Sequence, residues 1–552
     1  MLLWSAAAGV LAGLVTAGFL NALRGVQWMF TWRTGDIVSV VREMPSWQRL
    51  VMPALGGLLA GACLQLTRRL IQGKRSTDYL EAISLGNGRL PLRISLGKAA
   101  SAALSVGSGG SIGREGALVQ LAALGASRMG VLVHMSSPRL RVLVAAGTAG
   151  GVAAAYHAPI AGSLFVAEVV LGSLAMESFG PLVVAAVAAT LTARFLGEAA
   201  PLYLTKSLGL VSWWEVVVMV LLGCLAGLAA RVCTTVFHQS EVLFSRIPVP
   251  LPARLALGGL LVGLIAMVHP EVCGNGQRVI NEILEGNWLG WGLVSLLALK
   301  LIATSLTSGS GAVGGVLTPT LFLGAATGGV VGQFIHALEP GATAPSTAYA
   351  LVGMAALLAA MTRAPLVSIV LVFELTLDYD LMAPAMLAAV SAYATASALG
   401  VESIYAGSLR NKREGQPTPP PEALRVSDLA KPPSPTIAAA ATLAEIAEIF
   451  LRTRRMNLVV ITPDGAVVGL VNLHDIKEYL TDTGIGQLVT AEELARATPV
   501  VAPETTLDST LQIFARFEGE HLPVVESEST KYLVGSISKL DVLLALAQKS
   551  DL

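Results

Sequence analysis

Apolar residues run in blocks along this chain as far as residue 400 and then give way to a different pattern. Stretches long enough to cross hydrocarbon as helices, about 20 residues, lie near 4–32, 180–198, 213–238, 289–307 and 382–400. Shorter ones, near 95–106, 116–127, 141–156 and 364–378, fall below that length and are separated by glycine-rich breaks. Non-helical backbone facing lipid would leave its N–H and C=O groups unpaired, so these pieces are expected to be buried in protein or to line an aqueous cavity. Broken helices of this kind point to a transport site. Beyond them, "SLRNKREGQPTPPPEALRVSDLAKPPSPT" (408–436) is charged and proline-rich and reads as an extended linker. About 115 residues patterned for water follow.

Composition agrees with a lipid environment. The 552 residues are 54% hydrophobic and 13% charged, with a mean hydropathy of +0.67, which describes an integral membrane protein. Lys+Arg and Asp+Glu balance at 37 each, so the net charge offers nothing to nucleic acid and any pull on ions must be local. Cys63, Cys224, Cys233 and Cys273 show no CxxC spacing and suggest neither a disulfide framework nor a zinc site. The N-terminal stretch lacks a basic region and has the length of a span, so a retained helix is expected there rather than a cleaved signal.

The apolar region repeats itself. "ALGGLLAG" (54–61) recurs as "ALGGLLVG" (256–263), and Gly107-Ser108-Gly109 recurs as Gly309-Ser310-Gly311, both about 202 residues on. Gly147, Ala158-Pro159 and Glu168 then match Gly353, Ala364-Pro365 and Glu374 at about 206. Two homologous halves, about 1–200 and 211–400, meeting around a central site are expected, with their relative direction open.

Each GSG precedes a segment able to start a helix, "SIGREGALVQLAALG" and "AVGGVLTPTLFLGAATGG". Glycine lets backbone approach an ion, and the unpaired N–H groups of a helix start present roughly half a positive charge to it. Such ends suit an anion. Glu115, in the first of these segments, is a carboxylate in one of the most apolar parts of the chain.

These motifs carry a specific likeness. "GSGGSIGREG" followed by "VQ", then "GSGAVGGVLTP", the paired "HAPIAGSLFVAE" and "RAPLVSIVLVFE", and "ESIYAGS" resemble the CLC family of chloride channels and proton/chloride antiporters. "STDYLEAI", "CGNGQ" and "ESIY" look most like its bacterial ClcB-type branch. The resemblance covers residues 1–410. It implies an α-helical polytopic membrane protein with an inverted repeat, a homodimer with one pore per subunit, and cytoplasmic termini in the cell (inner) membrane. It further implies that Glu115 is the gating carboxylate, occupying an anion site until it is protonated or swings away. The N–H groups of Val316 and Leu317, and the hydroxyl of Tyr405, match the family's anion ligands. Chloride is then the permeant ligand, and no cofactor is required.

Two departures stand out. Where the family's first anion motif should fall, residues 73–77 read "GKRST". Lys74 takes the place of a coordinating serine, and a full cation there would bind chloride too tightly to release it. Either the loop is rearranged, with Ser76 or Thr77 as hydroxyl donor, or Lys74 acts at the cytoplasmic mouth. At "FVAEVV", coupled antiporters commonly carry a second glutamate that relays protons, whereas this chain has Glu168-Val169. Glu168 is therefore expected to be structural, like its repeat mate Glu374, and passive chloride permeation is expected over proton exchange. The preference among chloride, nitrate and fluoride stays open.

After the linker (411–425), the tail also repeats. Residues 443–480 align with 507–546, each reading as amphipathic helix, strand, turn, strand and helix. This resembles a tandem pair of CBS domains (426–484 and 490–548), an α/β regulatory module that often binds adenine nucleotides. Asp475 and Asp541, each six residues after a strand glycine, match a position that often contacts ribose. Ser538 keeps the Ser-x-x-Asp form in the second copy, while the first has Asn472. ATP or AMP is thus a candidate ligand, although acids so placed also cap helices.

Competing classes fare worse. A magnesium transporter needs converging carboxylates, which the broken-helix regions offer sparsely. An enzyme needs a nucleophile–base pair or a metal set, and His157 has no nearby His or Cys in its apolar stretch.

Overall fold

The computed structural model describes residues 1–70, 78–84, 86–172, 176–197, 203, 209–405, 425–433, 435–452, 457–476, 489–517, 519–527 and 529–550. The chain divides into two compact units, Met1–Asn411 and Lys412–Leu552.

Among its described residues, the regular elements of the first unit are all helical. In chain order it contains α1 (Leu2–Thr31), α2 (Ile37–Arg42), α3 (Ser46–Leu70), α4 (Tyr79–Ser84), α5 (Leu92–Gly107), α6 (Glu115–Leu132), α7 (Ser137–Tyr156), α8 (Pro159–Phe165) and α9 (Met176–Phe195). The second half adds α10 (Glu215–Ser245), α11 (Leu251–Val268), α12 (Gln277–Leu284), α13 (Gly290–Gly309), α14 (Leu317–Leu338), α15 (Ser346–Thr362), α16 (Pro365–Thr376) and α17 (Met382–Ala398). Among the described residues, α1, α3, α10, α11, α13 and α14 are long and apolar enough to cross a membrane. Three of these, α3, α11 and α14, lie outside the spans expected from the hydrophobic pattern. Pro53 and the polar ends interrupt α3, Arg254 breaks into α11, and threonines and glycines dilute α14. The stretch 141–156, expected to be short, begins instead at Ser137 with proline in its first turn and reaches 20 residues.

The breaks have local causes. His157 and Arg363, repeat mates 206 residues apart, close α7 and α15 in the left-handed conformation, at φ 55° and 62°. Ala158 and Ala364, each before a proline, cannot continue a helix. Pro159 and Pro365 then open α8 and α16, where a missing N–H costs nothing.

The halves are related by a pseudo-two-fold that the contacts reveal. Gly113 and Gly315, 202 residues apart, form an antiparallel bridge with each other, through N–H···O distances of 2.7 and 2.8 Å. Repeat mates that exchange bonds symmetrically must lie across a two-fold axis. The crossing of α3 with α11 obeys the same axis: a Cβ on Gly57 would meet the backbone of Leu255, and one on Gly259 would meet Pro53. Glycine is required there because the helix backbones touch. The two halves are therefore two-fold related, a relation that the repeat offsets alone did not give.

The second unit holds β1 (Thr436–Ala438), α18 (Leu443–Arg452), β2 (Asn457–Ile461), β3 (Val467–Asn472), α19 (Leu473–Ile476), α20 (Ala491–Leu494), α21 (Leu507–Arg516), β4 (His521–Val525), β5 (Leu533–Ser538) and α22 (Lys539–Ser550). Sheet order is β1-β2-β3, with β1 parallel and β3 antiparallel to β2; β4 and β5 form a second, antiparallel pair. Both copies bulge at matching places, between Val460 and Ile461 and between Val524 and Val525. The segment from Val426 to Lys431, ahead of the first copy, belongs to the core of the second. Val426 is buried with Val501, Phe514 and Ile537, and Lys431 bridges Ser536.

Candidate functional site

The Gly113–Gly315 bridge sets two helix starts beside each other. Glu115 opens α6 and Leu317 opens α14, each two residues past its bridged glycine. The first N–H groups of a helix have no intrahelical acceptor, so the N–H groups of Val316 and Leu317 and those at the start of α6 provide a positive, donor-rich centre.

Glu115 lies in it with 6% exposure. Thr318, one residue into α14, donates its hydroxyl to Glu115 Oε1. Thr318 Oγ1 is in turn 2.9 Å from the hydroxyl of Tyr156, the last residue of α7, and both are buried. Glu115 Oε2 has no hydrogen-bond partner among the described residues. The carboxylate is therefore half satisfied.

Tyr405 follows α17 and is fixed from α15. Ile404 N donates to Met361 O at 3.0 Å, and Ser403 Oγ donates to Thr362 O at 2.8 Å. Its ring stands edge-on to Phe165, with centroids 5.5 Å apart and planes at 83°. Tyr156 and Leu317 are buried in one apolar cluster, against which Tyr405 packs. Glu115, Leu317 and Tyr405 are thus brought to one region. Lys74, Ser76 and Thr77 lie outside the described residues.

Glu168 and Glu374 have a different setting. Leu366 N and Val367 N donate to Glu168 at 3.3 and 2.8 Å, while Ile160 N and Ala161 N donate to Glu374 at 3.0 and 2.7 Å. Glu168 follows α8 and Glu374 lies in the last turn of α16, and each caps the start of the other's short helix, so the two clamp α8 to α16 reciprocally.

Three residues of the site escaped the sequence reading. Thr318 stood inside the quoted "GGVLTP", and Tyr156 directly before "HAP", with no reason to single out either. Lys300 had a signal: it is a cation in the spanning helix α13, where a charge calls for a partner. It is fully buried, donates to the carbonyls of Val272 and Gly274 at 2.8 Å each, and lies over the Phe322 ring. It fixes the loop before α12, whose Gly274 N donates to Gly110 O ahead of Glu115.

In the second unit, Asp541 accepts from Lys431 Nζ at 2.7 Å and from Ser538 Oγ at 2.6 Å. Lys431, and after it the Ser538 hydroxyl, hold the Asp541 carboxyl below the usual aspartate range. Asp475 lies in α19, and its side chain is outside the described set.

A membrane unit of two inverted halves, with broken helices pointing their positive ends at a buried carboxylate, is built for anions. The chain matches the voltage-gated chloride channel family over residues 56–397 and the CBS domain over 426–482 and 491–548. It is similar to a ClcB-like chloride channel protein of Ralstonia nicotianae, 44% identical over 418 residues, covering 75% of this chain and 97% of that one. It is also similar to the voltage-gated ClC-type chloride channel ClcB of Salmonella dublin, 39% identical over 403 residues (72% and 96%). Among solved structures, a slow cyanobacterial chloride/proton antiporter shares the fold with a TM-score of 0.67 at 23% identity (75% and 98%). A eukaryotic CLC transporter does so at 0.65 and 19% (98% and 97%). The chain belongs to the voltage-gated chloride channel (CLC) family, and is a multi-pass membrane protein for anion transport with a C-terminal pair of CBS domains.

Proposed function

We propose that this protein is a chloride-selective channel of the cell (inner) membrane, gated by Glu115 and working as a homodimer with its CBS domains in the cytoplasm. In this reading the Glu115 carboxylate competes with chloride for the centre formed by the helix starts. Protonation, or a swing away, frees that centre for an anion held by the Val316 and Leu317 N–H groups and the Tyr405 hydroxyl. The observation that carries the choice of channel is the reciprocal clamp. Glu168 has both carboxylate oxygens engaged by backbone N–H groups, and its neighbour, where coupled relatives place a second acid, is Val169. A valine cannot pass a proton to Glu115. The curated relatives that bear the ClcB name are called chloride channels, which supports the same reading.

The test is ion coupling. In proteoliposomes with a chloride gradient and the voltage clamped by valinomycin, a channel lets chloride out without uphill proton movement. Proton pumping tied to chloride flux would make the protein an antiporter.

ATP or AMP between the CBS halves is the second part of the proposal, with Asp541, Ser538 and Asp475 toward the ribose. Lys431 now holds Asp541, so a nucleotide would displace it or share it. Binding should stabilise the full-length protein by mass action. Calorimetry with Asp541→Ala as control reads it, and no heat at millimolar nucleotide would leave a dimerising or purely structural module.

A further inference from the structure

Four helix ends of the first half meet on one side of the membrane unit. The end of α5 and the start of α6 flank the loop that leads to Glu115, so the start of α5 and the end of α6 lie together away from it. There Ser127 Oγ accepts from Leu90 N at 2.9 Å and donates to Gly88 O at 2.7 Å. The spanning helix α3 ends against α5, since a Cβ on Gly97 would touch Thr67. α7 begins against both, since Cβ atoms on Gly88 and Gly130 would touch Leu140. These ends carry six arginines: Arg68 and Arg69 on α3, Arg89 and Arg93 around the start of α5, Arg128 on α6 and Arg139 on α7. All six are exposed, and none makes an ion pair or a side-chain hydrogen bond among the described residues. The neighbouring acids, Asp78 and Glu81 at α4, have partners of their own.

The fold does not require this charge. Carried along the repeat by 202 residues, or by 206 for α7, the six positions fall on Pro270, Glu271, Trp291, Ser295, Val330 and Pro345. None of these is a cation, whereas a cluster needed for helix packing or for helix ends would recur in both halves. A bias of charge between two membrane faces orients a protein, but it does not ask cations to converge unpaired. Exposed leucines stand among the arginines: Leu66 and Leu70 beside Arg68 and Arg69, Leu92 beside Arg93, and Leu132 one turn after Arg128. Leu70 and Leu132 are 65% and 77% exposed. Leucines so open on a membrane unit belong in hydrocarbon, which puts the adjoining guanidinium groups at the depth of lipid headgroups. A guanidinium presents paired N–H groups that match two phosphate oxygens.

We propose that this surface binds anionic phospholipids of the surrounding bilayer, the arginines engaging headgroup phosphate and the leucines the upper part of the acyl chains. The site is independent of whether the protein works as a channel.

The probe is phosphatidylglycerol, added in mixed micelles to the full-length protein in neutral detergent, with phosphatidylcholine of the same acyl chains as the zwitterionic control. Native mass spectrometry counts the bound lipid. Wild type should prefer phosphatidylglycerol by about a hundredfold. Three double variants should each cut that preference by about fivefold: Arg68→Gln with Arg69→Gln, Arg89→Gln with Arg93→Gln, and Arg128→Gln with Arg139→Gln. Arg231→Gln with Arg246→Gln, which removes the same charge from exposed positions in and just past α10, should leave it unchanged. The six side chains are exposed, and three separate pairs keep the test available if one variant fails to fold. Equal binding of the two lipids by wild type, or an unchanged preference in all three pairs, overturns the proposal. An equal loss in the α10 pair would make net charge the cause and overturn it as well. Glycerol 3-phosphate competing as well as the intact lipid would replace the bilayer with a soluble phosphate ester as the ligand.

Discussion

Glu115 and the pair Glu168 and Glu374 are all carboxylates set against helix starts, where the positive end of a helix favours any negative charge. The pair spends both oxygens of each carboxylate on backbone N–H groups. Glu115 spends one on a threonine hydroxyl and leaves the other unpartnered. A carboxylate leaving the clamp would strand two N–H groups, whereas Glu115 leaving its place would strand one hydroxyl that already has Tyr156 beside it. Under the proposed gating role of Glu115, helix ends alone therefore do not make a mobile gate. The deciding feature is how many bonds must be broken for the carboxylate to move.

The largest effect should come from breaking the clamp. Glu374→Ala leaves the Ile160 and Ala161 N–H groups without their acceptor, at about 1–3 kcal/mol for each one that stays buried. A total of about 2–4 kcal/mol is expected, read as a lower thermal midpoint and a lower yield of monodisperse protein. Glu168→Ala should match it to within about 1 kcal/mol, because the two-fold gives it the same partners. Full stability combined with altered flux would erase the distinction between clamp and gate.

A smaller effect belongs to the hydroxyl holding Glu115. Thr318→Ala should raise chloride efflux at neutral pH by about tenfold, since a hydrogen bond to a charged group contributes about 1.5 kcal/mol. Thr318→Ser should restore wild-type flux, and Tyr156→Phe, one bond removed, should change it by about twofold. Unchanged efflux in Thr318→Ala would mean that the hydroxyl does not hold the carboxylate.

The smallest lies in the CBS unit, where a carboxylate is held by a side chain instead of by backbone. Asp541 has its folded pKa lowered by Lys431 and Ser538. Its contribution is thus fully present above the unfolded aspartate value, about 3.9, and fades as pH falls through the folded value. The side chain of Lys431 is 63% exposed and that of Asp541 24%, so about 0.5–1 kcal/mol is expected at neutral pH, screened by salt. Chemical denaturation of wild type and Asp541→Asn should differ by that amount at pH 7 and converge below about pH 4. A constant difference at every pH would remove the bridge as its source.

Much of this arrangement could be read from the chain. The offset of 206 marked Glu168 and Glu374, whose loops the structure pairs with each other, and the offset of 202 read at Gly107–Gly109 also relates Gly113 to Gly315, a pair that only the structure singled out. The two-fold relation was not legible from the offsets, because repeated letters carry no direction; it appears in the antiparallel bridge. The spanning helices α3, α11 and α14 hid behind Pro53, Arg254 and a run of small residues, since close helix packing selects residues that lower the average hydropathy. Thr318 and Tyr156 were unreadable for another reason. A hydroxyl in an apolar helix ordinarily bonds the carbonyl one turn back, as Thr320 does to Val316, and only the meeting of α7 with α14 turns these two toward Glu115.

Chloride efflux from proteoliposomes across a pH series, wild type against Glu115→Gln, tests most directly whether Glu115 is a movable competitor for the anion. Wild-type flux should rise steeply as pH falls, while the variant, with no charge to remove, should be high and nearly flat from pH 7.5 to about 4.5, a window around ordinary carboxylate titration. Superimposable pH profiles for the two proteins would contradict it.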